Sequence, residues 1–414
     1  MAREKKVEKY DVVIIGGGAA GLTAGIYCGR ARLKTLILEQ SLVGGIATNT
    51  SEIENYPGFP EGISGPDLMD LFHRQAKKFG VEFKLTNARS VDFSGEVKIV
   101  ETFRNRYEAK AVILCNGSRP RVVGVPSEEQ FLGRGIAFCA TCDAAANTGK
   151  EVLVVGSGDA AIEEGIFLTR FASKVTVSVL HDEGVMDCNE IAKAAALRNP
   201  KMEFLWNTVV DSYEGGEKLE RVILRTLKTG EKIPVACSTC FLFIGFIPNT
   251  EMYRGIIDMT PKGYIITDEN MRTNIPGVFA AGDVRERFLR QVATCVGDAA
   301  TAGVMAEKYI AEREIFENQI MAGDGFAYIY NAAEADQREF LRVIEEIAQS
   351  HGEYACHKVD TYKSDCLARM MGCEGGPAVA VIREGKVERI LCELNREAIE
   401  TALENSNNGK DAIT

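Results

Sequence analysis

The chain is short of histidine, of positive charge and of long uncharged stretches. Its 414 residues contain four His, and 48 Lys and Arg stand against 59 Asp and Glu, a formal net charge of -11. Nucleic acids and anionic membranes select basic surfaces, so this charge argues against both as partners. No uncharged run approaches the roughly 18 apolar residues of a membrane-spanning helix, and residues 1–9 lack the apolar stretch of a signal peptide. We therefore expect a cytoplasmic protein.

Twelve cysteines are present. Because thiols stay reduced in the cytoplasm, we interpret them as buried small hydrophobic residues plus a few reactive thiols, not as a disulfide scaffold. Cys237 and Cys240 lie in an apolar, strand-like run over residues 235–244. Positions three apart on a strand face opposite sides, which opposes a disulfide and predicts that both are core residues.

A glycine turn follows the first apolar run, residues 11–15, and a helix-like stretch follows the turn. Gly16 permits a tight turn, Gly18 lets the backbone approach a pyrophosphate, and Gly21 permits close packing of the helix on the strand. The next strand ends at Glu39, whose carboxylate can accept a hydrogen bond from a ribose hydroxyl. This βαβ pattern predicts a dinucleotide site. The alternative is a glycine turn in an α/β protein that binds no nucleotide.

The same pattern returns later in the chain. An apolar run over 152–155 leads into Gly156-x-Gly158-x-x-Ala161, and a helix-like stretch and another strand follow. Two such units predict an α/β protein with two Rossmann-like three-layer domains. A later strand ends in Gly282-Asp283. Together with the first turn, this ending resembles flavoproteins with two dinucleotide domains and implies FAD, with Asp283 near its ribityl chain.

Cys139-Ala-Thr-Cys142 is followed directly by Asp143. Two cysteines separated by two residues can cycle between dithiol and disulfide. The thiolate is the nucleophile, so a nearby carboxyl that takes up and returns the proton of the thiol fits this chemistry. The alternatives are two cysteines buried by chance or half of a zinc site. A zinc site needs further ligands, and the nearby sequence offers none at a suitable spacing, so no metal is predicted.

Over about residues 9–315 the sequence resembles the low-molecular-weight thioredoxin reductases. The motifs that carry the resemblance keep their order and spacing, and they lie at residues 16–21, 54–59, 139–143, 244–249, 282–283 and 290–291. The resemblance implies FAD stacked near the cysteine pair, a nicotinamide donor, a homodimer and a rotation of one domain against the other. It also implies thioredoxin or a thioredoxin-like protein as the partner.

The resemblance also implies roles for individual residues. Cys142 would face the flavin, Cys139 would attack the disulfide of the partner, and Asp143 would move protons for the thiols. The implied FAD contacts are Gly16, Gly18, Ala19, Ala20, Gly21, Glu39, Gln40, Gly44, Gly45, Asn55, Gly117, Gly282, Asp283, Arg290 and Gln291. The implied contacts of the nicotinamide nucleotide are Gly156, Gly158, Asp159 and Ala160.

The electron donor is less well specified. Relatives that use NADPH hold its 2′-phosphate with a His-Arg-Arg stretch and a later Arg, and those places fall here on residues 179–181 and Val185. Asp182 and Glu183 follow, and carboxylates repel a phosphate. We therefore expect NADH rather than NADPH. Reduced ferredoxin stays open as a donor, although the intact second glycine turn argues against it, and so does NADPH held by other contacts.

The resemblance predicts a discontinuous FAD-binding domain over 9–120 and 249–318 and an NAD(P)-type domain over 121–248. A linker over 319–324 then leads to a thioredoxin-like domain over 325–408, whose predicted element order is β-α-β-α-β-β-α. Residues 331–336 lack the Cys-x-x-Cys of a thioredoxin, and Gly376-Pro377 stands where that fold has its cis-proline. The domain is expected to dock a partner or to contribute to a dimer. A redox pair of Cys366 and Cys373 is the less favoured alternative.

Three other functions are alternatives, and a feature of the sequence argues against each. A peroxiredoxin-system reductase is the nearest alternative enzyme, but it would need a working dithiol in the added domain. A ferredoxin–NADP reductase of the same architecture has no catalytic cysteine pair. A flavin-containing sensor or scaffold would not need Cys139, Cys142 and Asp143 together.

Overall fold

The computed structural model describes residues 5–50, 53–363, 365–373 and 375–404. The described chain falls into two units that divide between Ala306 and Glu307. In the described residues, no helix is both long and apolar enough to cross a membrane.

The first sheet forms around the apolar run that the sequence places before the first glycine turn. Its elements are β1 (Lys6–Ile15), α1 (Ala19–Arg30), β2 (Thr35–Glu39), α2 (Gly65–Lys78), β3 (Glu82–Leu85), β4 (Ser90–Asp92), β5 (Lys98–Glu101) and β6 (Asn105–Leu114), with a short β7 (Ser118–Pro120) after them. Strand order is β3-β2-β1-β6-β5-β4, and β1 is parallel to both β2 and β6. Residues 12–15 of β1 are buried, as expected for a central strand covered on both faces.

The second sheet repeats this architecture. Its part of the chain contains α3 (Glu128–Phe131), β8 (Ile136–Ala137), α4 (Ala140–Asp143), β9 (Glu151–Val155), α5 (Asp159–Leu168), β10 (Lys174–Val179), α6 (Glu190–Leu197), β11 (Met202–Trp206), β12 (Thr208–Gly215), β13 (Leu219–Thr226), β14 (Lys232–Ala236) and β15 (Thr239–Leu242). The order β11-β10-β9-β15-β8 is parallel throughout, and β12-β13-β14 form a separate antiparallel sheet. The second sheet is parallel throughout, and the first combines parallel pairing of β3, β2, β1 and β6 with antiparallel pairing of β5 to both β6 and β4. These two Rossmann-like sheets confirm the predicted α/β class.

One expected strand is divided in two. The run over 235–244 is not continuous, because β14 ends at Ala236 and β15 begins at Thr239. Cys237 therefore lies in the connection and Cys240 in β15, so the argument from opposite strand faces was wrong. Both thiols are nonetheless free and buried in one apolar cluster with Leu153 and Val222. Their prediction as core residues is confirmed.

The chain then returns to the first sheet. It passes through β16 (Phe246–Pro248), which pairs antiparallel with β7, and then through β17 (Val278–Ala280), which lies parallel to β6. Helix α7 (Val292–Ile315) follows and runs into a π-helical turn at Phe316–Ile320.

The second unit contains β18 (Gly325–Tyr330), α8 (Ala335–Ser350), β19 (Ala355–Asp360), α9 (Cys366–Met370), β20 (Ala378–Arg383), β21 (Lys386–Leu391) and α10 (Arg396–Glu404). The sheet order is β19-β18-β20-β21, with β18 parallel to β19 and antiparallel to β20. The apolar face of α8, with Phe340, Ile344 and Ile347, packs on Phe326 and Tyr328 of β18. No peptide bond in the described residues is cis, so the expected cis bond before Pro377 is not found.

Candidate active site

The first glycine turn is closed on its protein side and open on the other. Gly16 has a φ of +105°, and a Cβ there would lie 2.2 Å from the carbonyl oxygen of Cys115. A Cβ on Gly21 would lie 1.8 Å from the carbonyl oxygen of Gly16. On Gly18 the nearest atom would be 3.8 Å away, at Gly44. The turn therefore packs directly on β6 and α1 and leaves space for a ligand at Gly18, which suits the pyrophosphate of a dinucleotide.

Glu39 is held beside the middle residue of this turn. Its Oε2 accepts a hydrogen bond from the backbone N–H of Gly17 at 2.8 Å, and its Oε1 accepts from Ser41 N–H at 2.9 Å. The side chain is buried at the end of β2, whereas the neighbouring Gln40 is exposed. Gly44 N–H donates to the carbonyl oxygen of Gly17 at 2.8 Å, so the 44–45 loop borders the turn.

Gly282 and Asp283 lie directly against the first helix. A Cβ on Gly282 would be 2.9 Å from the Cβ of Ala20, and Gly282 N–H donates to Asp298 Oδ2 at 3.2 Å. The Cys295 thiol donates to Asp283 Oδ1 at 3.4 Å. Burial raises the pKa of Asp283, and the nearby Arg287 partly opposes this rise. The Gly282-Asp283 motif is therefore held by contacts with residues outside it, which the motif itself does not predict.

Asp298 is the residue that sequence reasoning missed in this region. Its Oδ2 accepts hydrogen bonds from Arg285 Nη1 at 3.1 Å and from Gly282 N–H, and it forms an ion pair with Arg287 Nη1 at 3.1 Å. One half-buried carboxylate in α7 therefore contacts two arginines and the glycine of the motif. Neither a motif nor a spacing marks Asp298, because the contact depends on how α7 packs against the strand end.

Asn55 and Gln291, both expected at the flavin, form hydrogen bonds that reach the segment with Cys139 and Cys142. Asn55 Nδ2 donates to Gln291 Oε1 at 3.1 Å. Gln291 Nε2 lies 3.2 Å from Thr141 Oγ1 and 3.8 Å from Cys139 Sγ. Two residues expected at the flavin therefore lie in one hydrogen-bonded chain with the predicted redox pair.

Arg287 and Arg290 present polar atoms that lack a partner. The guanidinium of Arg290 lies over the ring of Tyr264, 4.7 Å from its centroid. The Nε atoms of both arginines are buried, and neither has a hydrogen-bond partner in the described part of the chain. A buried donor without a partner costs free energy. A bound polar group would remove this cost, so this region fits the polar edge and phosphates of a dinucleotide flavin.

Cys139 and Cys142 form a disulfide, with their Cα atoms 5.4 Å apart. Cys139 directly precedes α4, whose first residue, Ala140, is buried together with Ala144 in the core of the second sheet. These two small apolar residues anchor the turn and leave both cysteines half-buried. The predicted disulfide is therefore present in the structure, and Cys139 remains in contact with Gln291.

Asp143 lies at the end of the same turn. Burial raises its pKa to about 6. Its backbone N–H donates to the carbonyl oxygen of Cys139 at 3.3 Å, and its own carbonyl accepts from Asn147 Nδ2 at 2.8 Å. A carboxyl with this pKa can both take up and release a proton near neutral pH, which is what thiol chemistry requires.

The second glycine turn keeps the shape of the first. Gly156 has a φ of +133°, and a Cβ there would lie 2.6 Å from the carbonyl oxygen of Phe243. At Gly158 no heavy atom would lie within 4 Å of a Cβ. Asp159 Oδ1 accepts from the backbone N–H of Asn189 at 2.7 Å, and Ala160 is exposed. The backbone space for a second pyrophosphate is therefore present.

The end of β10 and the loop after it are fixed by contacts within the protein. Val179, the last residue of β10, is buried in the core of the second sheet. Asp182 is paired with Lys228, which holds the pKa of this carboxyl below its usual range. Asp187, which the sequence analysis did not single out, accepts from Ser157 Oγ at 2.8 Å. The two residues are 30 positions apart in the chain, so no local sequence pattern predicts this contact.

The cysteines of the second unit are not joined. Neither Cys366 nor Cys373 takes part in a disulfide among the described residues, and Cys373 is buried. Burial raises the pKa of the Cys373 thiol.

Comparison with known proteins identifies relatives of most of the chain. Residues 10–299 match the family described as pyridine nucleotide-disulphide oxidoreductase. A thioredoxin reductase of Peptoclostridium acidaminophilum is 41% identical over 307 residues, which is 73% of this chain and 97% of the relative. A thioredoxin reductase of Bacillus subtilis is 42% identical over 310 residues, 75% of this chain and 96% of the relative.

Solved structures give the same result. The thioredoxin reductase from Streptococcus pyogenes superimposes with a TM-score of 0.69 at 41% identity, covering 73% of this chain and 98% of that one. The thioredoxin reductase from Giardia duodenalis gives a TM-score of 0.68 at 31% identity, with coverage of 73% and 99%.

Proposed function

The chain belongs to the thioredoxin reductase family of pyridine nucleotide-disulphide oxidoreductases, and we propose that it reduces the disulfide of thioredoxin or a thioredoxin-like protein. Membership of this family assigns FAD and a nicotinamide nucleotide to the chain. The observation that supports the proposal is the contact of Gln291, a residue expected at the flavin, with both Thr141 and Cys139.

The first glycine turn and the residues around it would hold the flavin. Gly18 offers the open backbone for the pyrophosphate, and Glu39, fixed beside Gly17, offers a carboxylate to the adenosine ribose. Asp283 and the buried Nε of Arg290 offer further polar contacts. When bound, FAD accepts two electrons from a donor and passes them to a disulfide.

The cysteine pair would carry these electrons to the partner. As dithiol, Cys139 attacks the disulfide of the partner and forms a mixed disulfide, and the displaced partner sulfur takes up a proton. Cys142 then attacks Cys139, which releases the second partner sulfur as a thiol and restores the Cys139–Cys142 disulfide. Asp143, whose pKa burial raises to about 6, supplies and removes the protons of these steps.

NADH is the nicotinamide nucleotide that the second site suits better. The loop after β10 carries Asp187 against the second glycine turn, and its charge has no lysine or arginine partner among the described residues. Of the two other carboxylates, Asp182 is paired with Lys228, and Glu183 is exposed to solvent, which screens its charge. A dianionic 2′-phosphate would meet uncompensated negative charge there. A 2′-hydroxyl instead finds acceptors.

The domain arrangement is part of the proposal. An FAD domain over 9–120 and 249–318 would contain the first, mixed sheet, and an NAD(P)-type domain over 121–248 would contain the second, parallel sheet. A thioredoxin-like domain over 325–408 would dock the partner or contribute to a homodimer, and the β-α-β-α-β-β-α order of the second unit supports it. Without a Cys-x-x-Cys at residues 331–336, that domain would not itself carry dithiol chemistry.

Anaerobic reduction of the flavin tests the donor and the enzyme class. The oxidised, full-length protein is mixed separately with NADH, NADPH and reduced ferredoxin, and the yellow flavin absorbance is followed. Oxidised thioredoxin is then added, and its new thiols are counted. The proposal predicts fast bleaching by NADH, slow bleaching by NADPH and thiol formation in proportion to the NADH consumed. Bleaching without thiol formation would contradict the disulfide reductase function.

A further inference from the structure

The two glycine turns of this chain share a feature beyond their glycines. In the first, a carboxylate oxygen of Glu39 lies 2.8 Å from the backbone nitrogen of Gly17, the middle residue of the turn. In the second, a carboxylate oxygen of Asp187 lies 2.8 Å from the hydroxyl of Ser157, which is the middle residue there. Each turn therefore has a carboxylate hydrogen-bonded to its middle residue, Glu39 to a backbone N–H and Asp187 to a side-chain hydroxyl.

The loop that carries Asp187 is tied to the second turn at several points. Asp187 N–H donates to the carbonyl oxygen of Ser157 at 3.0 Å, and the ring nitrogen Nε2 of His181 lies 2.9 Å from Asp187 Oδ2. Two residues further on, Asn189 bonds to Asp159 through its backbone N–H and caps α6 by accepting from Ala192 N–H. These contacts fix the position of the Asp187 carboxylate before any ligand arrives.

One oxygen of this carboxylate remains available. Ser157 and His181 both contact Oδ2, and Oδ1 has no hydrogen-bond partner in the described part of the chain. A carboxylate accepts about four hydrogen bonds. Oδ1 can therefore accept from a ligand hydroxyl while Oδ2 keeps its contacts with the turn.

The other two acids of the loop are less suited to this task. Asp182 forms an ion pair with Lys228, so its charge is compensated. Glu183 is exposed and has no hydrogen-bond or ion-pair partner in the described residues that would fix it at the turn. Asp187 alone among the three contacts the turn itself.

We infer that Asp187 is the residue by which this chain selects a nicotinamide nucleotide with a free adenosine 2′-hydroxyl over one with a 2′-phosphate. This inference rests on the proposed function, because it assumes that the second turn binds the nucleotide. The carboxylate accepts a hydrogen bond from the hydroxyl, whereas it repels a phosphate dianion. Asp187 therefore acts as a specificity residue and takes no part in the electron transfer.

Direct binding measurements test the inference without turnover. The probes are ADP-ribose and 2′-phospho-ADP-ribose, which carry the two forms of the ribose but no nicotinamide. The readout is the fluorescence of Trp206, the single tryptophan of the chain, which is the register partner of Val179 at the end of β10. The oxidised, flavin-loaded wild type is compared with Asp187→Asn and Asp187→Ser, and Glu183→Gln serves as the matched control because it removes the same charge from the same loop.

Wild type should bind ADP-ribose more tightly than its 2′-phosphorylated form. In Asp187→Asn and Asp187→Ser the ratio of the two dissociation constants should fall by about 10-fold to 100-fold, the effect of a hydrogen bond to a charged group. Glu183→Gln should leave the ratio within about twofold. The ratio of flavin bleaching rates with NADH and NADPH should follow the same order.

An unchanged ratio in both Asp187 variants, or an equal change in Glu183→Gln, would overturn the inference. So would a wild type that binds neither probe. Failure of the proposed function would look different, since a protein that reduces no thioredoxin would still show the Asp187-dependent binding ratio.

Discussion

Replacing Asp143 with Asn should make the oxidised protein more stable and less active at neutral pH. Burial raises the pKa of this carboxyl from 3.8 to about 6. A raised carboxyl pKa means that the fold favours the protonated form. Its stabilising effect is complete below the unfolded pKa and is lost as the pH rises through the folded pKa. Above about pH 7 the ionised group should therefore destabilise the native state by about 3 kcal/mol, at ~1.4 kcal/mol for each pKa unit.

Asn carries no charge, so the variant should gain this free energy only where Asp143 is ionised. We expect a gain of about 3 kcal/mol near pH 8 and of less than ~1 kcal/mol near pH 4. Urea unfolding of the oxidised protein, followed by Trp206 fluorescence at a series of pH values, measures the difference. The matched control is Asp92→Asn, at a position where hydrogen bonds from Ser94 hold the pKa below its usual range. This control should not gain stability at high pH.

The same substitution should slow thioredoxin reduction by about a hundredfold at neutral pH, which is typical for loss of a general acid–base. The wild-type rate should change with an inflection near the pKa of about 6, and the variant should lose that inflection. A stability gain that is independent of pH, or an unchanged pH–rate profile, would refute the role assigned to the burial of Asp143.

Other substitutions test the flavin site and its contact with the cysteine pair. Gly21→Ala would set a Cβ 1.8 Å from the carbonyl oxygen of Gly16, so we expect a protein that no longer retains its flavin, measured as the ratio of flavin to protein absorbance. Gly297→Ala is the control, because a Cβ at this position in α7 would have no heavy atom within 4 Å. This variant should keep its flavin and gain up to about 1 kcal/mol of stability. Equal flavin contents in the two variants would contradict this reasoning. Gln291→Ala removes the hydrogen bonds to Thr141 and Cys139, and alkylation of the reduced pair should become about fivefold faster, as for a loss of ~1 kcal/mol. An unchanged alkylation rate would mean that Gln291 does not hold the pair.

The parts of the site that sequence could predict are those set by local geometry. The Gly16 and Gly156 turns follow from backbone conformations that few residues other than glycine adopt, and both have a positive φ. The Cys139–Cys142 ring needs only two intervening residues. The element order of the second unit followed from turn residues and apolar periodicity, as in α8.

The parts that sequence could not predict depend on tertiary contacts. Asp187 meets Ser157 across 30 residues, and Asp298 meets Gly282 across 16. The position of Glu183 soon after β10 led to the prediction that it repels a 2′-phosphate, but Asp187 is the acid that contacts the turn. The interruption at Cys237 was also hidden, because the apolar run continues through the turn between β14 and β15.

Trapping of a mixed disulfide tests the central claim most directly. Reduced Cys142→Ser protein is mixed with oxidised thioredoxin, and the products are separated on a non-reducing gel, with Cys139→Ser as the matched control. If Cys139 attacks the partner and Cys142 resolves the product, Cys142→Ser should accumulate a covalent one-to-one complex through Cys139, and Cys139→Ser should not. A complex that forms equally in both variants, or through a cysteine of the second unit such as Cys366 or Cys392, would contradict electron transfer through the Cys139–Cys142 pair.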